Sequence, residues 1–433
     1  MPDESAFLRA IIESPDDDGP RLVFADWLDE RGDHDRAEFI RLQCELARLP
    51  EWDPGRARLE PRERELLAAH EAEWAEAGLL PGNSSDWVFR RGFLDEIVFD
   101  SETLLDWAGG VFDRHPIRRV RIAAAYHTVW PNTIGERLAD EPLLARISAL
   151  EVRAAHLGAD GAAALADSPF LSNLLSLDLS DNNIGPSGAL ALSRSRSLGR
   201  LRTLWLNGFA PTTSPNPILD EGVRYLADAP GLPNLSELWV GQNGLTAEAV
   251  RWLAEGPRFD RWVSLGLASN RLAADGLRRL SQARLSSLRE LDLAATSTVG
   301  DGLARLVASP RLSDLERLDL GGNLLSRASA QSLAAGPLAS RLTHLDLGNC
   351  RPAELAIRTL MNQWPTNSRL TDLDLSDDRL DDPDAQAIAN ALGLARLRRL
   401  NLSYNRITDA GARALAESPY LTGLTSLELH GNP

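Results

Sequence analysis

The sequence predicts an α/β solenoid, in which short parallel strands form an inner sheet and helices cover the outside, behind a small all-α N-terminal domain. Three observations predict it. The frame L-x-x-L-x-L-x-x-N-x-L recurs along most of the 433 residues, as in Leu174, Leu177, Leu179, Asn182, Ile184 and again in Leu397, Leu400, Leu402, Asn405, Ile407. Its first apolar residue falls at 147, 174, 201, 235, 262, 288, 315, 342, 370, 397 and 424, a period of 26–28 residues broken by one step of 34. Behind each frame comes a run of alanine and leucine at helical spacing, and many of these runs end at a proline.

Taken in order, residues 1–50 read as three helices. Phe7, Leu8, Ile11 and Ile12 make an apolar stripe that ends before Pro15. Pro20 suits a first helical turn, Leu22, Val23, Phe24, Trp27 and Leu28 supply an apolar face, and Gly32 ends the second helix. Phe39, Ile40, Leu42 and Leu46 mark the third. Residues 51–88 read as a bridge and N-terminal cap: a charged helix over 56–77 turns Leu66, Leu67 and Trp74 inward and leads to a first strand near Trp87 and Phe89. Residues 89–433 are the array, with two weaker frames at Leu94, Ile97, Phe99 and Ile117, Val120, Ile122 before the eleven in phase, thirteen units in all.

Within each unit the leucines of L-x-L point to one side of a short strand, and the residue between them faces out. The second half turns helical, as where Thr408 and Asp409 precede Ala410, Ala412, Ala414 and Leu415. Pro142, Pro169, Pro230, Pro257, Pro310, Pro337 and Pro419 fall before the next strand, where a helix cannot continue. One unit cannot bury its apolar face alone, so stacked units share a leucine core. This frame resembles the leucine-rich repeat superfamily, and its period with helical backs is similar to the ribonuclease-inhibitor-type branch. The resemblance covers residues 89–433 and implies a leucine-rich repeat horseshoe. The strings FLRAII, DDDGPRLVFADWLDERGD and RAEFIRLQ resemble a short bacterial module that accompanies repeat arrays, and they imply an architecture rather than a reaction.

Composition narrows the function. All 46 basic residues are arginine, so chemistry that needs a lysine, against phosphates or as a Schiff base, is excluded. The net charge is −16, and residues 1–88 carry −12 of it, with 22 acids against 10 arginines. Nucleic acid and anionic membrane both ask for the opposite sign. Cys44 and Cys350 stand far apart, with neither a disulfide framework nor zinc spacing, and the acidic start lacks a basic leader. The expected setting is cytoplasmic.

Apparent chemical motifs have plainer readings. Asp16, Asp17, Asp18 and Gly19 imitate a calcium loop, but the place of its bidentate glutamate holds Ala25. Asp26, Asp29, Glu30, His34 and Asp35 read as helical surface, and Gly300, Asp301, Gly302 as a helix start with Arg305 where a dinucleotide motif has glycine. Cys350 shares a column with Asn182, Asn243, Asn270, Asn323, Asn405 and Asn432, whose side chains satisfy backbone groups. No hydrolase or metalloenzyme signature is found, and no cofactor is expected.

The binding candidates lie on the sheet. The outward column runs Arg121, Glu151, Asp178, Trp205, Trp239, Gly266, Asp292, Asp319, Asp346, Asp374, Asn401, Glu428. Four successive aspartates repel by about 1 kcal/mol per neighbouring pair even at the dielectric of water, which a basic partner relieves. The adjacent column, Glu290, Arg317, His344, Asp372, Arg399, offers cross-strand neutralisation instead. Outward Trp205 and Trp239 call for cover. They neighbour two insertions, one with Phe209 and prolines 211, 215 and 217, the other with Tyr126 and Trp130, both following a strand and so emerging on one rim. The expectation is a non-enzymatic scaffold that binds a protein or peptide, basic in character, on the concave face and this strand-exit rim. Two other classes stand beside it. The family resemblance implies a regulator of a small GTPase-like switch, with no activating residue to carry across. A hydrolase in residues 1–50 is the other.

Overall fold

The computed structural model describes residues 3–50, 53, 55–75, 87–99, 110–122, 134–208, 217–297, 301–353 and 355–433. The chain divides into two compact units, Met1–Leu157 with Ala164–Leu179 and Arg196–Leu201, and Gly158–Ala163 with Ser180–Ser195 and Arg202–Pro433.

The first unit opens with helices α1 (Glu4–Glu13), α2 (Asp18–Asp29), α3 (His34–Arg48) and α4 (Arg56–Trp74). Asp17 caps α2 by accepting the Gly19 N–H at 2.8 Å, and Asp33 caps α3 by accepting that of Arg36 at 3.3 Å. The buried face of α2 is Arg21, Phe24, Ala25 and Leu28, the i, i+3, i+4, i+7 set. Val23, which the apolar run places with them, lies on the opposite side of the helix and is 55% exposed. Ile11, Phe24, Ala25, Leu28, Ala37, Ile40 and Cys44 form one cluster that also takes in Phe93. The helices therefore share their core with strand residues.

Phe93 belongs to β2 (Phe93–Phe99), which pairs antiparallel with β1 (Trp87–Arg90) and parallel with β3 (Arg119–Ile122). Then β4 (Ala149–Val152) and β5 (Ser176–Asp178) follow in parallel order. The β1–β2 hairpin turns on Arg91 and Gly92 at φ +54° and +87°, the primed geometry that suits strand twist. A Cβ on Gly92 would meet Ile40 Cα at 2.9 Å, so α3 packs where only glycine fits. Gln43 fixes this contact, accepting the Gly92 N–H at 2.7 Å and donating to the Phe89 carbonyl at 3.3 Å.

The second unit stacks parallel strands in chain order: β6 (Thr203–Trp205), β7 (Glu237–Trp239), β8 (Ser264–Gly266), β9 (Glu290–Asp292), β10 (Arg317–Asp319), β11 (His344–Asp346), β12 (Asp372–Asp374), β13 (Arg399–Asn401) and β14 (Ser426–Glu428). Helices such as Ala247–Glu255 and Asp409–Ala416 return the chain behind the sheet. Their caps reach across coils. Thr246 accepts from Glu248 N–H and donates its hydroxyl to Asp220 of the preceding coil, and Thr408 does the same with Ala410 and Asp382. Pro310 and Pro337 do more than stop a helix, since each opens a short 3₁₀ turn at a position that needs no N–H. No described helix is long and apolar enough to cross a membrane.

With strands this short, a side-chain ladder secures the turns. Asn270 Oδ1 accepts from the N–H groups of Asn243 and Leu245 at 2.9 and 3.0 Å, while its Nδ2 donates to the Val240 and Leu267 carbonyls at 3.0 and 2.9 Å. Asn323 and Asn405 repeat the pattern. The residue just before the column takes a left-handed turn, at φ +54° in Gln242 and +56° in Ser269, and the amide on either side offsets the strain of about 1 kcal/mol or more. Cys350 fits the column with Sγ 3.2 Å from the Leu320 carbonyl, and burial pushes its thiol up to about 12.

Asp378 is the exception in this column. Its Oδ1 accepts from Arg351 N–H at 2.9 Å, yet Oδ2, standing where the amide nitrogen belongs, is buried without a partner. Burial is the main cause that pushes its pKa up to about 7. A carboxyl that holds its proton more tightly when folded than unfolded contributes stability that is complete below about pH 4 and is lost as pH rises through about 7. Asp378→Asn supplies the missing donor. It should raise stability by about 1–3 kcal/mol near pH 8 and by much less near pH 4, as read from urea unfolding at the two pH values. Equal effects at both would show that Asp378 carries no charge cost.

Candidate functional site

The registers place the outward column side by side as expected. In the second unit Trp205 opposes Trp239, then Gly266, Asp292, Asp319, Asp346, Asp374, Asn401 and Glu428 in turn. Over this face lies a groove of about 400 Å³, with Trp239 at one end and Ser426 and Glu428 at the other. Trp205 is half-buried and lies one strand beyond Trp239.

Each ladder aspartate is half-buried and does local work with one oxygen. Oδ1 accepts the N–H two residues on: Ala294 for Asp292 at 2.9 Å, Gly321 for Asp319, Gly348 for Asp346 and Ser376 for Asp374, each at 2.8 Å. Such a bond shapes the bend after the strand. Asp374 Oδ2 also accepts from Asn401 Nδ2 at 2.7 Å. Burial raises the pKa of Asp292, and burial followed by neighbouring carboxylates raises Asp319 and Asp346 to about 6.

In the adjacent column the ion pairs centre on Asp372 and do not involve the ladder. Asp372 holds Arg399 and lies 3.3 Å from His344 Nε2, while His344 Nδ1 meets Thr343 Oγ1 at 2.9 Å. Burial keeps His344 below its ordinary pKa, although Asp372 pulls the other way. Among the described residues no ion pair reaches Asp292, Asp319, Asp346 or Asp374.

Trp239 is half-buried because of a residue whose role the column alone does not reveal. A Cβ on Gly266 would fall 2.1 Å from Trp239 Cε3, so the indole lies across the glycine of the next strand. That seat leaves Trp239 Nε1 buried without an acceptor among the described residues. A glycine beside a tryptophan in an outward column was the available signal.

Asp178 belongs to the first unit and to a different arrangement. It is buried and bound by Arg153 at 2.6 Å, Arg153 also meets Glu151 at 3.2 Å, and Arg121 spans Glu96 and Glu151 at 3.0 and 3.1 Å. Tyr126, Trp130 and Phe209 lie outside the described residues. The N-terminal polar groups are engaged: Asp18 by Arg48 and Arg91 at 2.8 and 3.0 Å, Asp29 by His34 and Arg41 at 2.9 and 2.7 Å. Those two hydrogen bonds lower the Asp29 pKa, and burial pushes the Cys44 thiol up to about 12.

The family model described as "Leucine Rich repeat" matches residues 170–193 and 396–416. No curated protein matches the chain. Similar solved structures include an internalin (inlF) from Listeria monocytogenes str. 4b F2365, at 17% identity and TM-score 0.39 over 84% of this chain and 89% of that one. The Rad7 and Elc1 complex of yeast aligns at 15% identity and TM-score 0.38 over 93% and 94%. The TLR13–ssRNA13 complex aligns at 17% and 0.39 over 78% of this chain and 50% of that one. With the matched repeats and the parallel strand-and-helix coils of each unit, the fold is a leucine-rich repeat solenoid with an all-α segment at its start.

Proposed function

We propose that the protein is a non-enzymatic scaffold for protein–protein interaction, which takes a protein or peptide on the inner sheet of the second unit and along the rim where its strands exit. One observation carries this reading. The groove is built from large or charged side chains held outward on a sheet whose backbone is already satisfied, with an indole seated at one end. A surface fixed in advance loses little entropy on binding, and an aromatic anchor buries area at a low ordering cost. The groove's lining of carboxylates, guanidiniums, an imidazole and leucines offers both charged and apolar contacts.

Two variants test the surface. In selection of a displayed random-peptide library against the full chain, Trp205→Ala with Trp239→Ala should reduce retention of the wild-type-selected peptides about tenfold or more. Equal retention removes the indoles from the site. Gly266→Ala places a methyl where the Trp239 ring lies, so it should displace the indole and weaken the same peptides, with a melting temperature close to wild type because the clash falls on a movable side chain. Full peptide binding by Gly266→Ala would show that the seat is irrelevant to recognition.

A further inference from the structure

The groove of the second unit holds more negative charge than its fold uses. Asn401 sits in the same column as the four aspartates and makes the same bond, accepting the Ser403 N–H at 3.0 Å through an amide oxygen. The bend after the strand therefore requires the oxygen and not the charge. The first unit also shows that the column can be neutralised in place, since Arg121 and Arg153 bridge Glu96, Glu151 and Asp178. In the second unit the four carboxylates stay without a cation among the described residues, over a cavity of about 400 Å³.

We infer that this groove receives an extended segment of a partner protein in which arginine or lysine alternates with small residues, the cationic side chains meeting Asp292, Asp319, Asp346 and Asp374. The inference rests on the protein-binding reading above and names the partner's chemistry. Strands about 4.8 Å apart spread four carboxylates over about 14 Å. An extended chain lying across the strands presents same-side side chains about every 6.8 Å, so cations at i, i+2 and i+4 cover the same length. Trp239 stands two strands from Asp292, about 10 Å, so an apolar residue two positions beyond the cationic run, the nearest place on the same side of the extended chain, reaches toward the indole.

Acidity offers an independent handle. Asp319 faces Glu290 and Asp292 from β9, Arg317 on its own strand, and His344 and Asp346 from β11; Asp346 faces Asp372 and Asp374 from β12, with Arg399 beyond on β13. Burial and the neighbouring carboxylates raise both carboxyls to about 6, so below about that pH a bound cation must displace their protons. Affinity then falls between about pH 7 and about pH 5 by about tenfold if one carboxylate is engaged and about a hundredfold if both are. Protonation of His344 at low pH acts in the same direction.

The test uses the full chain and labelled synthetic peptides followed by fluorescence anisotropy at low salt: Gly-Leu-Gly-Arg-Gly-Arg-Gly-Arg-Gly, its glutamine counterpart, and a peptide of the same composition with the arginines contiguous. The alternating peptide should bind about tenfold or more tightly than the glutamine one, should bind more tightly than the contiguous one, and should weaken on acidification as above. Asp319→Asn with Asp346→Asn should lose most of the affinity and flatten the pH profile without lowering the melting temperature, because asparagine keeps the oxygen that the bend requires. Equal binding of the glutamine or contiguous peptide, a flat wild-type pH profile, or full affinity in the double variant overturns the inference. Library selection that yields tryptophan-dependent but uncharged peptides overturns it too, and leaves the protein-binding reading standing. A library yielding nothing that depends on Trp205 and Trp239 counts against that broader reading instead.

Discussion

The array depends on one exchange of hydrogen bonds, in which an asparagine side chain reaches back to the preceding coil and both accepts from and donates to its backbone. Three-residue parallel strands form too few ladder bonds to fix a turn, and the turn residues leave N–H and C=O groups that no water can reach. A buried donor or acceptor without a partner costs about 1–3 kcal/mol. Asn270 serves two donors and two acceptors at once, and only a primary amide of that length does so. Leucine burial supplies the driving force, at about 1.5–3 kcal/mol per side chain. The amide decides which stacking register the leucines adopt.

The substitutes in the amide column show how strict it is. Thr296 keeps a donor, giving its hydroxyl to the Leu293 carbonyl at 2.8 Å, and Cys350 keeps a weak one. Asp378 keeps only the acceptor while ionised, and its burial there raises its pKa to about 7. The same argument explains the outer column, where a single acceptor suffices and Asp and Asn are interchangeable for the bend.

Much of this was legible in the sequence because period 2 within a frame and period 27 between frames leave no freedom about which side chains share a column. The strand registers, the helix cap at Thr408 and the place of Cys350 in the amide column all follow from phase. What the pattern missed depends on side-chain reach across columns. Gly266 reads as an empty place until the Trp239 indole is laid over it. Asp178 reads as an outward residue available to a partner, but Arg153, immediately after the preceding strand, binds it from the side. Val23 fails for a simpler reason: five apolar residues within seven cannot all face one side of a helix turning 100° per residue. Both strands of the β1–β2 hairpin fall where the sequence places strands, but their antiparallel pairing carries no repeat phase and so is not legible from the period.

Stability and recognition draw on the same carboxyl groups. Asparagine at 319 or 346 would keep the bend and remove a charge that burial and like-charged neighbours both disfavour, so such a chain should be more stable near neutral pH. Proteins commonly retain locally unfavourable residues where function requires them, and stabilising replacements at such places tend to cost activity. Position 401 shows the replacement is structurally sound in this fold, and the first unit shows that arginine can be placed to neutralise the column instead. A sheet that uses both remedies elsewhere and neither at four consecutive strands presents its charge outward, where a cation from another molecule gains the interaction that the fold itself does not take.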